Sequence, residues 1–262
     1  MTVTEGQSEN DPVVAGGGRC GAFTLVELLV AIAIVAMLLA MLVPSLSRGR
    51  LLAREARCGV QLRQLNIACM AYAAENKRWL PEVSADPQGN QSVGGSILYW
   101  MAGYWRDYLR ETYGLPRNAM YSPSNSLWNR DDFYYHDTGR PGATYCVFGR
   151  FYFGGYDRLN TSGFRDHMVD PPADDGTPLF ARRLGGASVY NWMWTDLNRQ
   201  WPSGPEDWWL TPGDARRLGA NHLDTKINWP RGSHVGYLDG HVGWTPGDAI
   251  ELRVILSAEF YW

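Results

Sequence analysis

Gly21-Ala22-Phe23-Thr24-Leu25-Val26-Glu27-Leu28-Leu29 opens an apolar run that ends only at Val43, one residue before Pro44. From Phe23 to Val43 there are 21 residues, and only Thr24 and Glu27 interrupt the run. As a helix, this length crosses a hydrocarbon layer of about 30 Å. The segment predicts a membrane-inserted helix. A cleaved secretory signal is the competing reading, but the run is longer than the usual apolar core of one. In addition, Leu42-Val43-Pro44-Ser45-Leu46-Ser47 is a poor small-residue cleavage site. Nor does Cys20 mark a lipoprotein, because Gly17-Gly18-Arg19 supplies no apolar approach to it.

Glu27 is the residue out of place. A carboxylate in hydrocarbon costs about 2.5 kcal/mol or more and normally marks a function or a partner. Cleavage before Phe23 would supply that partner, a new α-amino group that is positive at neutral pH and lies four residues before Glu27. In a bundle of identical helices the amine of one chain can meet the carboxylate of its neighbour. Protonation of Glu27, or a place near the interface, is the simpler alternative.

The stretch Gly21 to Leu29 resembles the prepilin cleavage and N-methylation motif of type IV pilins and type II secretion pseudopilins. The resemblance implies that a prepilin peptidase cuts between Ala22 and Phe23 on the cytoplasmic side and methylates the Phe23 amine. It also implies that Thr24, Leu25 and above all Glu27 serve assembly. Ala22 stands where the family usually has Gly; cutting after Gly21 instead would move Glu27 out of the family's spacing. Pro44 matches a position where these helices often bend, and its ring removes one helix hydrogen bond. Leu62-Arg63-Gln64-Leu65, Tyr72 to Pro81 and the Asp239-Gly240-His241-Val242 turn resemble, more weakly, a pilin-like group that ends in such a turn.

Charge points the other way on orientation. The leader carries Glu5, Glu9, Asp11 and only Arg19, whereas Arg48, Arg50, Arg54, Arg57 and Arg63 follow the apolar run. Positive-inside reasoning would put the C-terminal side in the cytoplasm. The motif implies the reverse topology, with the leader inside and the globular part on the periplasmic or extracellular side of the inner membrane, and it is the more specific signal.

Beyond Pro44, Leu51, Cys58, Leu62, Leu65, Cys69 and Tyr72 recur at helical spacing, with Glu55 as an interruption. The helix is expected to continue to the Asn76–Pro81 stretch, for about 80 Å in all, and to lay its outer half on the domain that follows. Four segments are expected: a cleaved leader at 1–22, a transmembrane helix at 23–43, an extended amphipathic helix at 44–79, and an exported domain at 80–262. All twelve Trp residues lie at or beyond Trp79, which marks the change of solvent. Turn signals crowd residues 82–140 and leave regular structure there unassigned. Thr144–Phe153 and Val189–Thr195 read as strands, and a hairpin near 234–244 turns at Asp239-Gly240. The fold class expected is α+β and pilin-like, a long N-terminal helix packed on a small antiparallel sheet.

The formal charge of −3 and the absence of a dense basic block disfavour nucleic acid. Cys58 and Cys69, eleven residues apart on one helix, cannot bridge each other, which leaves Cys146 as a partner for either; the simpler reading places all three in a core. Asp239, His241, His222 and His234 could together hold a metal, although the turn and packing explain them as well. Asp170, Asp174 and Asp175, or Asp131 and Asp132, could offer oxygens to calcium, without EF-hand spacing. Trp192, Trp194, Trp208 and Trp209 could stack on sugar rings, or simply fill a core short of large aliphatics.

No nucleotide loop, serine-hydrolase elbow or zinc-protease helix is present in the sequence, so no cofactor and no catalysis is predicted. The expected function is that of a structural filament subunit, with prepilin peptidase, copies of itself, other pilin-like subunits and the inner membrane as partners. The alternative is a membrane-anchored binding protein for a glycan or secreted substrate.

Overall fold

The computed structural model describes residues 24–83, 100–125, 128–137, 144–147, 150–155, 174–200, 220–224, 226, 229–250, 252–255 and 259–261. The leader, the Ala22/Phe23 bond, Asp170, Trp208 and Trp209 lie outside the described residues. The chain divides into two compact units, Met1–Arg48 and Gly49–Trp262.

One helix, α1 (Leu25–Glu75), begins in the first unit and ends in the second. In the first unit every described side chain is exposed, from Leu25 at 76% to Val43 at 64%. A surface of Leu, Ile, Val and Met so fully exposed has no place in water, and the stretch is long and apolar enough to cross a membrane. It suits a lipid or helix-bundle surrounding. Pro44 lies inside the helix, where it cannot donate to the hydrogen-bond ladder.

In the second unit the same helix acquires one buried face. Cys58, Leu62, Leu65 and Cys69 are fully buried, as the spacing predicts, whereas Leu51 stays at 36% exposed and Tyr72 is half-buried. Gln61, Asn66, Ala68 and Ala73 widen the buried face. The helix closes at Glu75, followed by Lys77 and Arg78 with left-handed backbone (φ 52° and 70°), and the Arg78 amide donates to the Ala73 carbonyl at 2.7 Å.

The face packs on a four-stranded antiparallel sheet. Its strands run in the order β1 (Arg150–Tyr152), β2 (Trp192–Asp196), β3 (Gly232–Tyr237) and β4 (Val242–Pro246). The predicted hairpin is β3–β4, with Gly236 opposite Val242 and His234 opposite Trp244. Strand β2 has Met193, Trp194, Thr195 and Asp196 all at 0% exposure, the signature of a strand covered on both faces. Aromatics supply much of the core. Tyr152 and Trp194 meet at 4.5 Å between ring centroids, and Phe153 stacks on Phe180 at 4.6 Å, each pair adding about 0.5–1.5 kcal/mol beyond its buried area. Trp194 is thus core and not a surface platform.

The 82–140 region contains a helix the turn signals concealed, α2 (Gly103–Tyr113), which buries Trp105 and Leu109 and ends at Gly114 with φ 65°. Tyr113 donates its hydroxyl to Glu75 at 2.8 Å, tying α2 to the end of α1.

Asn66 couples helix to sheet. Its Nδ2 donates to the carbonyls of Tyr237 and His241 at 3.3 and 3.4 Å, holding the hairpin turn. This approach requires Gly236, where an added Cβ would lie 2.6 Å from Asn66 Oδ1. Gly236→Ala should therefore cost about 1–3 kcal/mol, measured by urea denaturation of the full chain in detergent. Because the clash is with Asn66 itself, the Gly236→Ala/Asn66→Ala double variant should lose clearly less than the sum of the singles. Additive losses would contradict the contact.

Candidate functional site

Among the described residues, two places with polar groups where apolar ones would be expected bear on function. The first is the start of α1. The Thr24 amide and hydroxyl both donate to Glu27 Oε2 at 2.8 Å, and the Glu27 amide donates back to Thr24 Oγ1 at 3.2 Å. This is a reciprocal capping box, which satisfies amide donors the first helical turn would otherwise leave open. Glu27 is thereby held at the helix start, with its carboxylate turned back onto Thr24. Its Oε1 accepts no hydrogen bond from the described residues.

The second is a buried polar centre in the Gly49–Trp262 unit, assembled on the carboxylate of Asp196. On Oδ1 converge Arg150 Nη1 at 2.6 Å, Cys58 Sγ at 3.2 Å and Asn221 Nδ2 at 3.1 Å. On Oδ2 converge His222 Nε2, the His234 amide and His234 Nδ1, each at 2.9 Å. Cys58, Arg150 and Asp196 are at 0% exposure, His222 at 2% and His234 at 7%.

Each member is placed by its own element. Cys58 rides on the buried face of α1, and Arg150 and Asp196 are direct cross-strand partners of β1 and β2. His234 is on β3 at the step where the β2–β3 ladder ends: Thr195 still pairs with Val235, and next to it the Asp196 side chain accepts the His234 amide. His222 sits in a turn fixed by Asn221 N donating to the Leu197 carbonyl and Arg231 N donating to the His222 carbonyl, both at 2.8 Å. The His234 ring lies against Gly59 of α1, where a Cβ would come within 3.1 Å of it. Trp244 stands edge-on to both imidazoles, at 5.1 Å from His222 and 4.6 Å from His234 between ring centroids. An ion pair of Arg231 with Glu55, the residue that interrupts the apolar spacing of α1, adds a second tie at the rim.

The charges are mutually tuned. Burial would raise the Asp196 carboxyl, but His222 and Arg150 override it and hold it well below the usual carboxylate range. Burial pushes both imidazoles down, and Asp196 more than reverses this, so that His222 rises to about 9 and His234 rises as well. Burial also pushes the Cys58 thiol up, but the Arg150 guanidinium and hydrogen bonds from His222 and His234 bring it down to about 7. Burial drives Cys69, on the same helix face, up to about 12, because the hydrogen bonds with Trp194 and Tyr152 that oppose it are too weak to offset it. Both thiols are free. Cys58, Asp196, His222 and His234 each offer a metal-ligating atom, and these atoms all lie within 4.8 Å of one another. A thiol beside two imidazoles and a carboxylate also has the parts of a nucleophilic site, but a sulfur with no path to solvent faces only its own protein.

The residues singled out from sequence fall apart here. His222 and His234 come together, but on Asp196. Asp239 and His241 stay on the exposed hairpin turn, where Asp239 Oδ1 meets His241 Nδ1 at 2.5 Å. Asp131, Asp132, Asp174 and Asp175 are exposed, and Trp192 is half-buried against the core. Sequence reasoning does not single out Arg150 or Asp196, and it offers Cys58 only as a core residue or a disulfide partner of Cys146. The available signal was a charged residue at one end of each of two aromatic strand stretches, Arg150-Phe151-Tyr152 and Trp192-Met193-Trp194-Thr195-Asp196.

A comparison with protein families matches residues 18–43 to the prokaryotic N-terminal methylation motif. The match covers the predicted cleavage site, Glu27 and the apolar run, and does not reach the Asp239-Gly240-His241-Val242 turn. No curated protein and no solved structure matches the chain at a significant level.

Removing one member of a buried ion pair strands the other, at a cost of about 3–5 kcal/mol. Asp196→Asn, which preserves shape, should therefore lower the stability of the full chain in detergent by that order in urea denaturation. Asp131→Asn, which breaks the exposed pair with Arg117, should leave the unfolding midpoint where it was. Equal effects would refute the central role of the Asp196 carboxylate.

Proposed function

We propose that this chain is a structural subunit of a type IV pilus-like or type II secretion pseudopilus filament. In this reading a prepilin peptidase cuts between Ala22 and Phe23 and methylates the new amine. The subunit rests in the inner membrane as a single-pass protein, with its globular part on the periplasmic or extracellular side, until its helix joins a bundle of like helices. The observation that carries the reading is the coincidence of the methylation motif at residues 18–43 with a helix that starts at Leu25 and carries a membrane-length apolar surface.

The capping box gives Glu27 a physical role in this scheme. Before assembly, Thr24 satisfies one carboxylate oxygen internally, which lowers the cost of holding an acid at the membrane boundary. In the bundle, the remaining oxygen accepts the methylated amine of a neighbour's Phe23, and this charge pair sets the axial step between subunits. Pro44 gives the helix a place to bend where the apolar run ends. The aromatic-cored sheet domain coats the filament, and the energy for extrusion comes from a separate ATPase.

Glu27→Ala should leave cleavage, methylation and membrane insertion intact while abolishing filament incorporation in the native host, scored by sedimentation of sheared surface fractions or by crosslinking between subunits. Glu27→Gln, which keeps the capping hydrogen bonds but not the charge, should fail in the same assay. Normal incorporation of both variants would argue instead for an anchored binding protein that uses the leader only for sorting.

A further inference from the structure

We propose that Cys58, Asp196, His222 and His234 form a closed structural site for a divalent transition-metal cation of the zinc class. The sulfur, oxygen and two imidazole nitrogens are the donor set that a tetrahedral, borderline-soft cation selects, and all four come from buried side chains. Around such a cation, with bonds of about 2.0–2.3 Å, ligand atoms stand about 3.3–3.7 Å apart. Here the two imidazole nitrogens lie 2.9 Å from Asp196 Oδ2 and the sulfur 3.2 Å from Oδ1. On binding, these contacts to the carboxylate would lengthen by about 0.5 Å, and the four ligating atoms already lie within 4.8 Å of one another.

The argument rests on counting donors. An ionised carboxylate offers about four lone-pair sites, yet six donors are aimed at Asp196, three on each oxygen. Two donors are in excess, in an interior where water cannot relieve them. A bound cation resolves the excess: it takes the place of the thiol proton of Cys58 and of one ring proton on each of His222 and His234, turning three donors into ligands. Asp196 is then left with Arg150, Asn221, the His234 amide and the metal, four partners for four sites.

The surroundings suit the bound form. Arg150 Nη2 lies 3.4 Å from Cys58 Sγ, and Ser122 Oγ lies 3.3 Å from it, so a metal-bound thiolate has two hydrogen-bond donors at hand. The thiolate and carboxylate neutralise the divalent charge. The Arg150 guanidinium lies against those two anionic ligands and donates to the Ala119 and Cys58 carbonyls at 3.3 Å. Trp244 walls one side. With four protein ligands the coordination shell is full, which makes the site structural and not catalytic. Its ligands come from α1, β2, β3 and the 221–222 turn, so one cation would staple the helix to the sheet.

The test uses the full-length chain in detergent, purified without chelator. Elemental analysis should find about one zinc per chain. After chelator stripping, cobalt(II) should give a thiolate-to-cobalt charge-transfer band, and added zinc should raise the melting temperature by several degrees. Cys58→Ser, which keeps a hydrogen-bonding group in place, should retain the circular dichroism of the wild type but lose the charge-transfer band. His241→Ala, on the exposed hairpin turn, should retain the band. A folded wild type with neither the cobalt band nor a zinc-dependent melting shift would overturn the proposal, as would an unchanged band in Cys58→Ser or its loss in His241→Ala.

Discussion

The Gly49–Trp262 unit depends on one buried carboxylate. Asp196 sits at the end of a strand covered on both faces, and burying an ionised acid there is unfavourable unless partners surround it. The partners come from far along the chain, Cys58 lying 138 residues away and Arg150 46. Satisfying Asp196 therefore obliges α1, β1, β3 and the 221–222 turn to meet at one point. Apolar burial holds these elements together in a general way. The polar centre fixes their register, because a shift of one residue along β2 would turn Asp196 to the other face and leave Arg150 buried and unpaired.

This division of labour suits a helix with two kinds of environment. The Leu25–Val43 stretch is apolar apart from Glu27 and exposes every side chain, which suits lipid or a bundle of like helices. From Cys58 onward the same helix carries small and polar residues beside Leu62 and Leu65 on its buried face, and specific bonds through Cys58 and Asn66 hold it to the sheet.

Much of this architecture was legible in the sequence. The apolar run and Glu27 could be read directly because a bilayer imposes a constraint on consecutive residues, and the buried face of α1 followed from spacing because a helix repeats it locally. The β3–β4 hairpin was equally local, marked by Asp239-Gly240 between alternating residues. Helix α2 was hidden because Gly and Pro signals on both sides outweigh an amphipathic pattern built from Trp and Tyr, which favour strands as readily as helices. The polar centre was largely illegible. His222 and His234 stood out as metal-ligand types, but their meeting point is Asp196, marked only as the charged end of an aromatic strand stretch. Asp239, the acid next to the conspicuous turn, has a sufficient partner in His241 and stays at the surface.

The central claim is that the chain is a prepilin-type subunit whose life begins with a cut before Phe23. Intact-mass and N-terminal peptide mass spectrometry on protein isolated from its native membrane tests this most directly. The account predicts a mature chain that starts at Phe23 and carries one added methyl group on its amine. A chain that still begins at Met1 or Thr2 would contradict it and leave an ordinary anchored protein, and one that begins beyond Pro44 would contradict it by showing a secreted domain released from a signal sequence.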